Sequence, residues 1–487
     1  MTAALALIAL AALAALALGL IAGAGRDMDL EQWAVGGRGF GWILVFLLLA
    51  GEIYTTFTFL GASGFSYGQG APVYYILAYG SLAYVIAYFL LPLVWSYGRQ
   101  HGLHSQPDFF VRKYASPSLG VLVSIVDLVA LIPYLVLQLT GLGIIVTAAG
   151  YGAIPKDAAI WIGAAIVTVY VMTSGIRGSA YTSVVKDILI LGVVLFLGIY
   201  LPSHLYGGIG PMFEKIAAAK PGFLVFPASG QSVAWFVSTV LLTAIGFFMW
   251  PQSFAAAYSA KDARVFRRNA IALPIYQLIL LFVFFVGFAA VLQVPGLKGA
   301  DTNLALFKLA AQEFSPAVVG LIGAAGVFTA LVPGSLIAMT AAMLLSKNLV
   351  GLLRPEATDA QTVALAKWFV PVIMLVAVYF TLTGNATIVT MLLVGYSFVT
   401  QLFPAVVVSL MPRNPTTPAG AFTGILVGAI VAAVLSFTHA TVGSLFPVLP
   451  QAIRDLNVGI IALAANIVAM VVVSSVTTPR TVPAGAV

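Results

Sequence analysis

No cysteine occurs among the 487 residues, and only 8% of them are Asp, Glu, Lys or Arg. The first absence excludes disulfide staples, thiolate metal ligands and a cysteine nucleophile. The second excludes a soluble globular enzyme, because an average soluble domain is about one-quarter charged. A disordered scaffold is excluded as well: it needs high charge and low hydrophobicity, whereas 61% of this chain is hydrophobic. Histidine is scarce, with four in the chain. Neither a P-loop nor an HExxH pair is found, so a nucleotide-driven pump and a zinc hydrolase lack their signatures. No repeated filter or charged ring suggests a channel.

What the chain does have is apolar runs close to the ~20 residues that cross a ~30 Å hydrocarbon layer as helix. Thirteen are expected, at 3–23, 41–66, 73–97, 118–150, 158–175, 181–202, 232–258, 270–295, 314–346, 366–383, 389–411, 418–438 and 457–475. The links are short and turn-rich, which leaves one integral membrane domain, 1–487. With the N-terminus outside and the C-terminus in the cytoplasm, 16 of the 22 lysines and arginines fall on the inner side, as the positive-inside rule expects. The net charge of +7 thus reports orientation, and the cluster Lys261–Arg268 faces anionic lipid rather than nucleic acid. Ala22-Gly23-Ala24-Gly25 resembles a signal cleavage site. Run 3–23, however, has no basic flank before it and is too long for a signal segment, so it is read as a retained extra helix (1–25).

Ionisable residues at bilayer depth cost on the order of 3 kcal/mol or more and need a reason. Glu52 stands roughly 16 Å into span two at 1.5 Å per residue, and Asp127 lies about nine residues into span four. Asp187, beside Lys186 near the start of span six, reads as an interfacial pair. Glu52, Thr55, Thr56 and Ser63 share one helical face; Asp127, Tyr134 and Gln138 share another. Lipid satisfies neither stripe, so they face each other, a cavity or water.

Glycine and proline accompany these polar groups. Span two reads Ala50-Gly51-Glu52-Ile53-Tyr54-Thr55-Thr56, followed by Gly61 and Gly64; span seven reads Gly246-Phe247-Phe248-Met249-Trp250-Pro251-Gln252. The two lie five spans apart. Residues 41–202 and 232–411 then form two five-helix halves, the second inverted because five is odd, with 418–475 adding two helices. Interrupted helices at matching places of inverted repeats point to a transporter's central site. Freed carbonyls suit a small cation, and N–H groups suit a carboxylate. No lysine or arginine is expected near the midplane. An anionic solute would therefore rely on N–H groups and hydroxyls, with a co-transported proton or sodium ion, and a protonated Glu52 is a candidate proton carrier.

At these residues the chain resembles the sodium:solute symporter family. The matches are Gly36-Gly37-Arg38, Phe59-Leu60-Gly61-Ala62-Ser63-Gly64 with Tyr67 and Gly70, Ser174-Gly175-Ile176-Arg177-Gly178, Ala260-Lys261, Gly395, Pro404 and the series Gly420, Gly424, Gly428. Gly51-Glu52-Ile53-Tyr54-Thr55, Met249-Trp250-Pro251 and Ala330-Leu331-Val332-Pro333 most resemble the bacterial monocarboxylate permeases. The resemblance implies an all-α fold with LeuT-type inverted repeats, alternating access and residence in the bacterial inner membrane. It implies a cation held by carbonyls of Gly51 and Tyr54 and by Thr329; Glu52 and Asp127 are assigned to coupling from their depth in the apolar runs. Two hydroxyls usual on the partner helix are replaced by Val332 and Pro333, and an embedded aspartate by Ser183. For the solute it nominates Thr55, Thr56, Thr58, Gln138, Trp250, Gln252 and Tyr396. The expected cargo is lactate, pyruvate, propionate or acetate with a proton favoured over sodium. The alternative is sodium-coupled transport of a small amino acid such as alanine or proline. Beyond the co-transported ion no cofactor is implied, and beyond solute and bilayer no nucleic acid or obligatory protein partner. His101 and His104, sharing a polar loop with Asp108, read as a solvated loop rather than a metal site.

Overall fold

The computed structural model describes residues 2–25, 28–51, 53–354 and 356–477. Glu52, the acidic residue singled out above, lies outside the described residues, as do Met1, Arg26, Asp27, Pro355 and 478–487. Every regular element among the described residues is helical, and the extended pairing is an isolated bridge between Phe40 and Ala260. Helix follows from the solvent: in hydrocarbon a backbone has only its own groups to bond.

The elements that position the site begin with α1 (Thr2–Gly23), α2 (Trp42–Gly51), α3 (Ala62–Gln69) and α4 (Tyr75–Gln100). A short amphipathic α5 (Gln106–Tyr114) leads to α6 (Pro117–Ala149) and the long α7 (Lys156–Tyr206). Next come α8 (Val233–Gly246), α9 (Pro251–Tyr258), α10 (Arg264–Leu278), α11 (Leu280–Gln293) and α12 (Pro316–Met343). The chain closes with α13 (Asp359–Thr383), α14 (Ile388–Val399), α15 (Phe403–Ser409), α16 (Pro418–Phe437) and α17 (Val458–Val476).

Ten helices among the described residues are long and apolar enough to cross a membrane, eleven if the bent pair Val233–Met249 and Pro251–Tyr258 counts as one span. The thirteen runs read from sequence exceed that number for two reasons. Runs 158–175 and 181–202 both lie in the 51-residue α7, which changes direction at Gly175 (φ 54°, ψ −146°) instead of ending there. Run 41–66 is divided: α2 is ten residues long, and an irregular stretch and a π-turn at Phe57–Gly61 separate it from α3.

At Gly175 the bend also brings the backbones close. A Cβ there would sit 2.5 Å from the Trp33 carbonyl oxygen, in the short helix Leu30–Val35 that caps the bend. Helix α1 buries Ala4, Ile8, Ala11, Ala15 and Gly19, a stripe at three- and four-residue spacing. It packs on α12 and α7, with Gly320 against Ala4 and Gly19 against the Tyr170 ring. Gly420, Gly424 and Gly428 of α16 meet Ser474, Asn466 and Met470 of α17 and Gln401. Small residues at that spacing let two helix backbones approach when burial of apolar area from water is no driving force.

Candidate functional site

Both interrupted helices meet α6, one turn apart. The first interruption spans Ile53–Thr56 and is closed by its own hydroxyls. Thr58 Oγ1 donates to the Ile53 carbonyl (2.5 Å) and accepts from Thr55 N–H (3.0 Å), while Thr55 Oγ1 accepts from Phe57 N–H (3.1 Å). Thr56 instead reaches across: its hydroxyl donates to Gln138 Oε1 at 2.7 Å and its N–H to the same oxygen at 3.4 Å. Such side-chain acceptors are what keep a broken helix viable at depth.

The second interruption runs through the 3₁₀ turn Phe247–Met249 to Trp250, whose backbone is extended (φ −65°, ψ 134°), and the axis bends by 47°. Pro251 opens α9 where its missing N–H costs nothing. Gln106 Nε2 donates to the Met249 carbonyl at 3.0 Å and holds the turn. The Trp250 indole lies against Tyr134 (ring centroids 4.8 Å) and Tyr396 (5.4 Å, interplanar 76°). Tyr134 and Gln138, four residues apart, are stacked about 6 Å along one face of α6.

The structure thus places Thr56, Gln138, Trp250 and Tyr396, together with Tyr134, around one stretch of α6. Gln252 is fully buried at the second position of α9. Thr55 and Thr58 are buried too, but the contacts above commit both hydroxyls to the backbone of the interruption. Gln138 Nε2 is a buried donor without a partner among the described residues. Gly395 and the ring of Tyr79, 5.9 Å from Tyr396, complete the aromatic wall. Tyr79 carried no sequence signal beyond being one tyrosine in an aromatic-rich span.

Two cavities lie near this stretch, and neither is lined by Thr56, Tyr134, Gln138, Trp250 or Tyr396. One of about 1120 Å³ is lined by Pro133 and Val394, the neighbours of Tyr134 and Gly395; another of about 500 Å³ is lined by Val136 and Thr140, on either side of Gln138. They share Phe380, Ala386 and Met391, and both belong to the C-terminal half of α6. The other end of α6 is latched. There Asp108 of α5 pairs with Lys347, accepts from Asn348 Nδ2 (2.9 Å) and from the N–H groups of His104 and Ser105 (3.0 Å each). Glu31 pairs with Arg38 (2.6 Å) and lies 2.8 Å from His104 Nε2. His104 is therefore engaged in the latch.

Burial alone would raise the Asp108 carboxyl, but the Lys347 ammonium and three further donor groups outweigh it and hold it at about 2. A depressed carboxylate stabilises the fold above its ordinary value of 3.8, and the contribution disappears as pH falls through that value towards 2. The side chain is 14% exposed, so solvent screening is slight and the contribution near neutrality is about 2 kcal/mol. Asp108→Asn is expected to lower the thermal unfolding midpoint at pH 7. The gap from wild type should narrow below pH 4 and close only towards pH 2; a gap independent of pH would contradict this.

The residues assigned to the cation are less well assembled. Thr329 Oγ1 donates to the Gly326 carbonyl at 2.6 Å, and Val332 and Pro333 bring no hydroxyl. Asp127 is fully buried with neither oxygen bonded among the described residues. It lies about 16 Å along α6 from Gln138, away from the first interruption. Lys186, read from the sequence as near the surface, is 0% exposed and Asp187 4%. They are an internal pair, 3.0 Å apart, and not an interfacial one. Lys186 Nζ lies 3.6 Å from where a Cβ on Gly51 would be. A sodium ion about 4 Å from that ammonium would be repelled by roughly 4 kcal/mol at an effective dielectric constant of 20. That equals the whole binding free energy of a millimolar site, ~4 kcal/mol. The donor set does not fit a sodium ion at the end of α2.

One pentad has the spacing of a hydrolase nucleophile elbow, Gly64-Phe65-Ser66-Tyr67-Gly68. It is helical, and Ser66 Oγ is spent on the carbonyls of Ala62 and Ser63, 3.0 Å from each.

Interrupted helices meeting at a buried polar junction are the arrangement of secondary transporters. The chain belongs to the sodium:solute symporter family, whose pattern it matches over residues 33–428. It is 62% identical over 460 residues to the uncharacterized symporter YhjB of Bacillus subtilis, covering 94% of each chain. It is 28% identical over 422 residues to a monocarboxylate transport permease protein of Rhizobium johnstonii, covering 84% of each. Among solved structures, a Na⁺-coupled sialic acid symporter in its substrate-bound outward-open state superposes with a TM-score of 0.80 at 18% identity, over 98% of this chain and 99% of that one. The shared fold is the LeuT-like one.

Proposed function

We propose that this chain imports small monocarboxylates of the lactate, pyruvate, propionate and acetate type by cation symport, with a proton as the coupling ion. The observation that carries the reading is the junction at α6, where Gln138 Nε2 is a buried donor without a partner beside the Trp250 and Tyr134 rings. A two- to four-carbon acid presents one carboxylate and one small apolar end, and such a junction offers an amide donor for the first and aromatic faces for the second. The name of the Rhizobium johnstonii relative supports the class of cargo.

In this reading Thr56, Gln138, Trp250, Gln252 and Tyr396 contact the solute, and Thr55 and Thr58 keep the first interruption open. Residues 41–202 and 232–411 are the two inverted halves, 1–25 an extra helix and 418–475 a terminal pair. The chain crosses the bacterial cytoplasmic membrane thirteen times, counting α7 as two crossings and α2–α3 as one, with the N-terminus outside. The cavities then face outward, and the Asp108–Lys347 latch closes the cytoplasmic side. Glu52, next to the end of α2 in sequence, is the candidate proton carrier.

Proteoliposomes with an imposed proton or sodium gradient test this directly. Labelled pyruvate should accumulate under the proton gradient alone and labelled alanine under neither, with Glu52→Gln removing the proton-driven component. Accumulation of alanine driven by sodium would replace this reading with amino-acid symport.

A further inference from the structure

Lys186 and Asp187 belong to neither the solute junction nor the latch, yet both are buried in the middle of α7. Lys186 lies eleven residues beyond the bend at Gly175, about 16 Å along the helix. Its ammonium has the Asp187 contact at 3.0 Å and no hydrogen-bond partner among the described residues. It points at Gly51, the last residue of α2. Ser183 Oγ, one turn earlier on α7, lies 3.8 Å from the same Gly51 position.

The end of α2 is where a cation belongs. A helix C-terminus leaves its last carbonyls without intrahelical partners and carries about half a negative charge. Beyond it, Tyr54 donates its hydroxyl to the Tyr276 carbonyl at 3.2 Å and lies edge-on to the Tyr276 ring (4.9 Å). The Tyr276 hydroxyl and both Asp187 oxygens are buried without a hydrogen-bond partner among the described residues. Tyr54, Tyr276, Asp187 and Lys186 form a buried group around the carbonyl end of the first interruption. A buried lysine is expensive unless something holds its charge, and here the carboxylate and the helix end do so.

We infer that the Lys186 ammonium is a tethered cation occupying the position at the end of α2 where a symporter of this family would hold sodium, so that this carrier binds no sodium there. The inference rests on reading the chain as a cation-linked carrier and is independent of which solute it carries. It also accounts for the missing hydroxyls at Val332 and Pro333: an ammonium anchored from α7 brings its own counter-charge in Asp187 and has no need of oxygen ligands on α12.

Sodium binding to the purified protein in nanodiscs, measured without solute, tests it. Wild type should show no saturable ²²Na⁺ binding and the same unfolding midpoint in sodium chloride as in choline chloride at equal ionic strength. Lys186→Ser leaves Asp187 and the α2 carbonyls without their cation. It should gain saturable sodium binding at least tenfold tighter than any seen in wild type, with a sodium-specific rise in midpoint. One sodium bound per wild-type chain at the end of α2, lost on Gly51→Val, would overturn the inference. So would a folded Lys186→Ser protein that binds none. If Lys186→Ser fails to reach the membrane, the wild-type titration decides alone. A carrier that binds no sodium but also moves no monocarboxylate would overturn the proposed cargo and leave this inference standing.

Discussion

Gln138→Leu is expected to reduce monocarboxylate uptake by about 30-fold to several hundredfold while the protein still accumulates in the membrane. Leucine matches the volume of glutamine but takes away the Oε1 that accepts from both the hydroxyl and the N–H of Thr56. A buried donor left without its acceptor costs about 1–3 kcal/mol; here the Thr56 N–H loses its acceptor outright, and the hydroxyl keeps only the longer contact to the Leu137 carbonyl at 3.3 Å. The substitution also deletes the Nε2 donor offered to the carboxylate. A combined loss of about 2–4 kcal/mol at the solute corresponds to that range, at 1.4 kcal/mol per factor of ten. Thr56→Val separates the two contributions, because it removes the hydroxyl but leaves Nε2 in place. If Nε2 binds solute, Gln138→Leu raises KM well beyond Thr56→Val. Equal effects would reduce Gln138 to a brace for the interruption, and an unchanged KM in both would remove it from the site.

That pair shows what the sequence made legible. Thr56 and Gln138 each stood out as polar side chains on a helical face inside an apolar run, and hydrocarbon leaves such faces nothing to bond but each other or cargo. Trp250 was legible for a different reason, since Pro251 behind it cannot continue a helix. Lys186 was not. Placing the start of span six at 181 set it near the surface, where a Lys–Asp dipeptide needs no explanation. In the fold the second helix of α7 starts directly after Gly175, under the helix Leu30–Val35, so position 186 lies eleven residues into it and is fully buried. The hydroxyls of Thr55 and Thr58 illustrate the converse. Their polarity marked the interruption correctly, but whether a threonine in such a stretch serves the backbone or a ligand is decided by a rotamer, which sequence does not specify. Asp127 sits on the same helical face as Gln138, and the face proved long enough to separate them by about three turns.

Gly395→Ala is expected to lower uptake at least tenfold although it should, by helix propensity alone, favour the fold. Alanine in a helix interior is better than glycine by about 1 kcal/mol, and Gly395 lies within α14 with ordinary helical geometry. The difficulty is the neighbour. A methyl group there would stand 2.5 Å from Trp250 Cη2 and 3.2 Å from the Ala130 carbonyl oxygen. The carbonyl belongs to α6 and is fixed, so the indole must give way. It is held between Tyr134 and Tyr396, and on its own chain the Met249 carbonyl is tied to Gln106. Displacing it by even about 1 Å disturbs the aromatic wall and the 47° bend together, and overpacking of that kind costs ~1–3 kcal/mol. Gly192→Ala is the matched control: it lies in a membrane helix with nothing within 4 Å of its notional Cβ. It should gain the same propensity and leave uptake unchanged. The comparison discriminates because both substitutions are identical in chemistry and differ only in what the methyl meets. Gly395→Ala with normal uptake would mean that the Trp250 ring is free to move and does not wall the solute. Equal losses in both variants would mean that membrane helices of this chain tolerate no added methyl, and that the junction at α6 has no special claim.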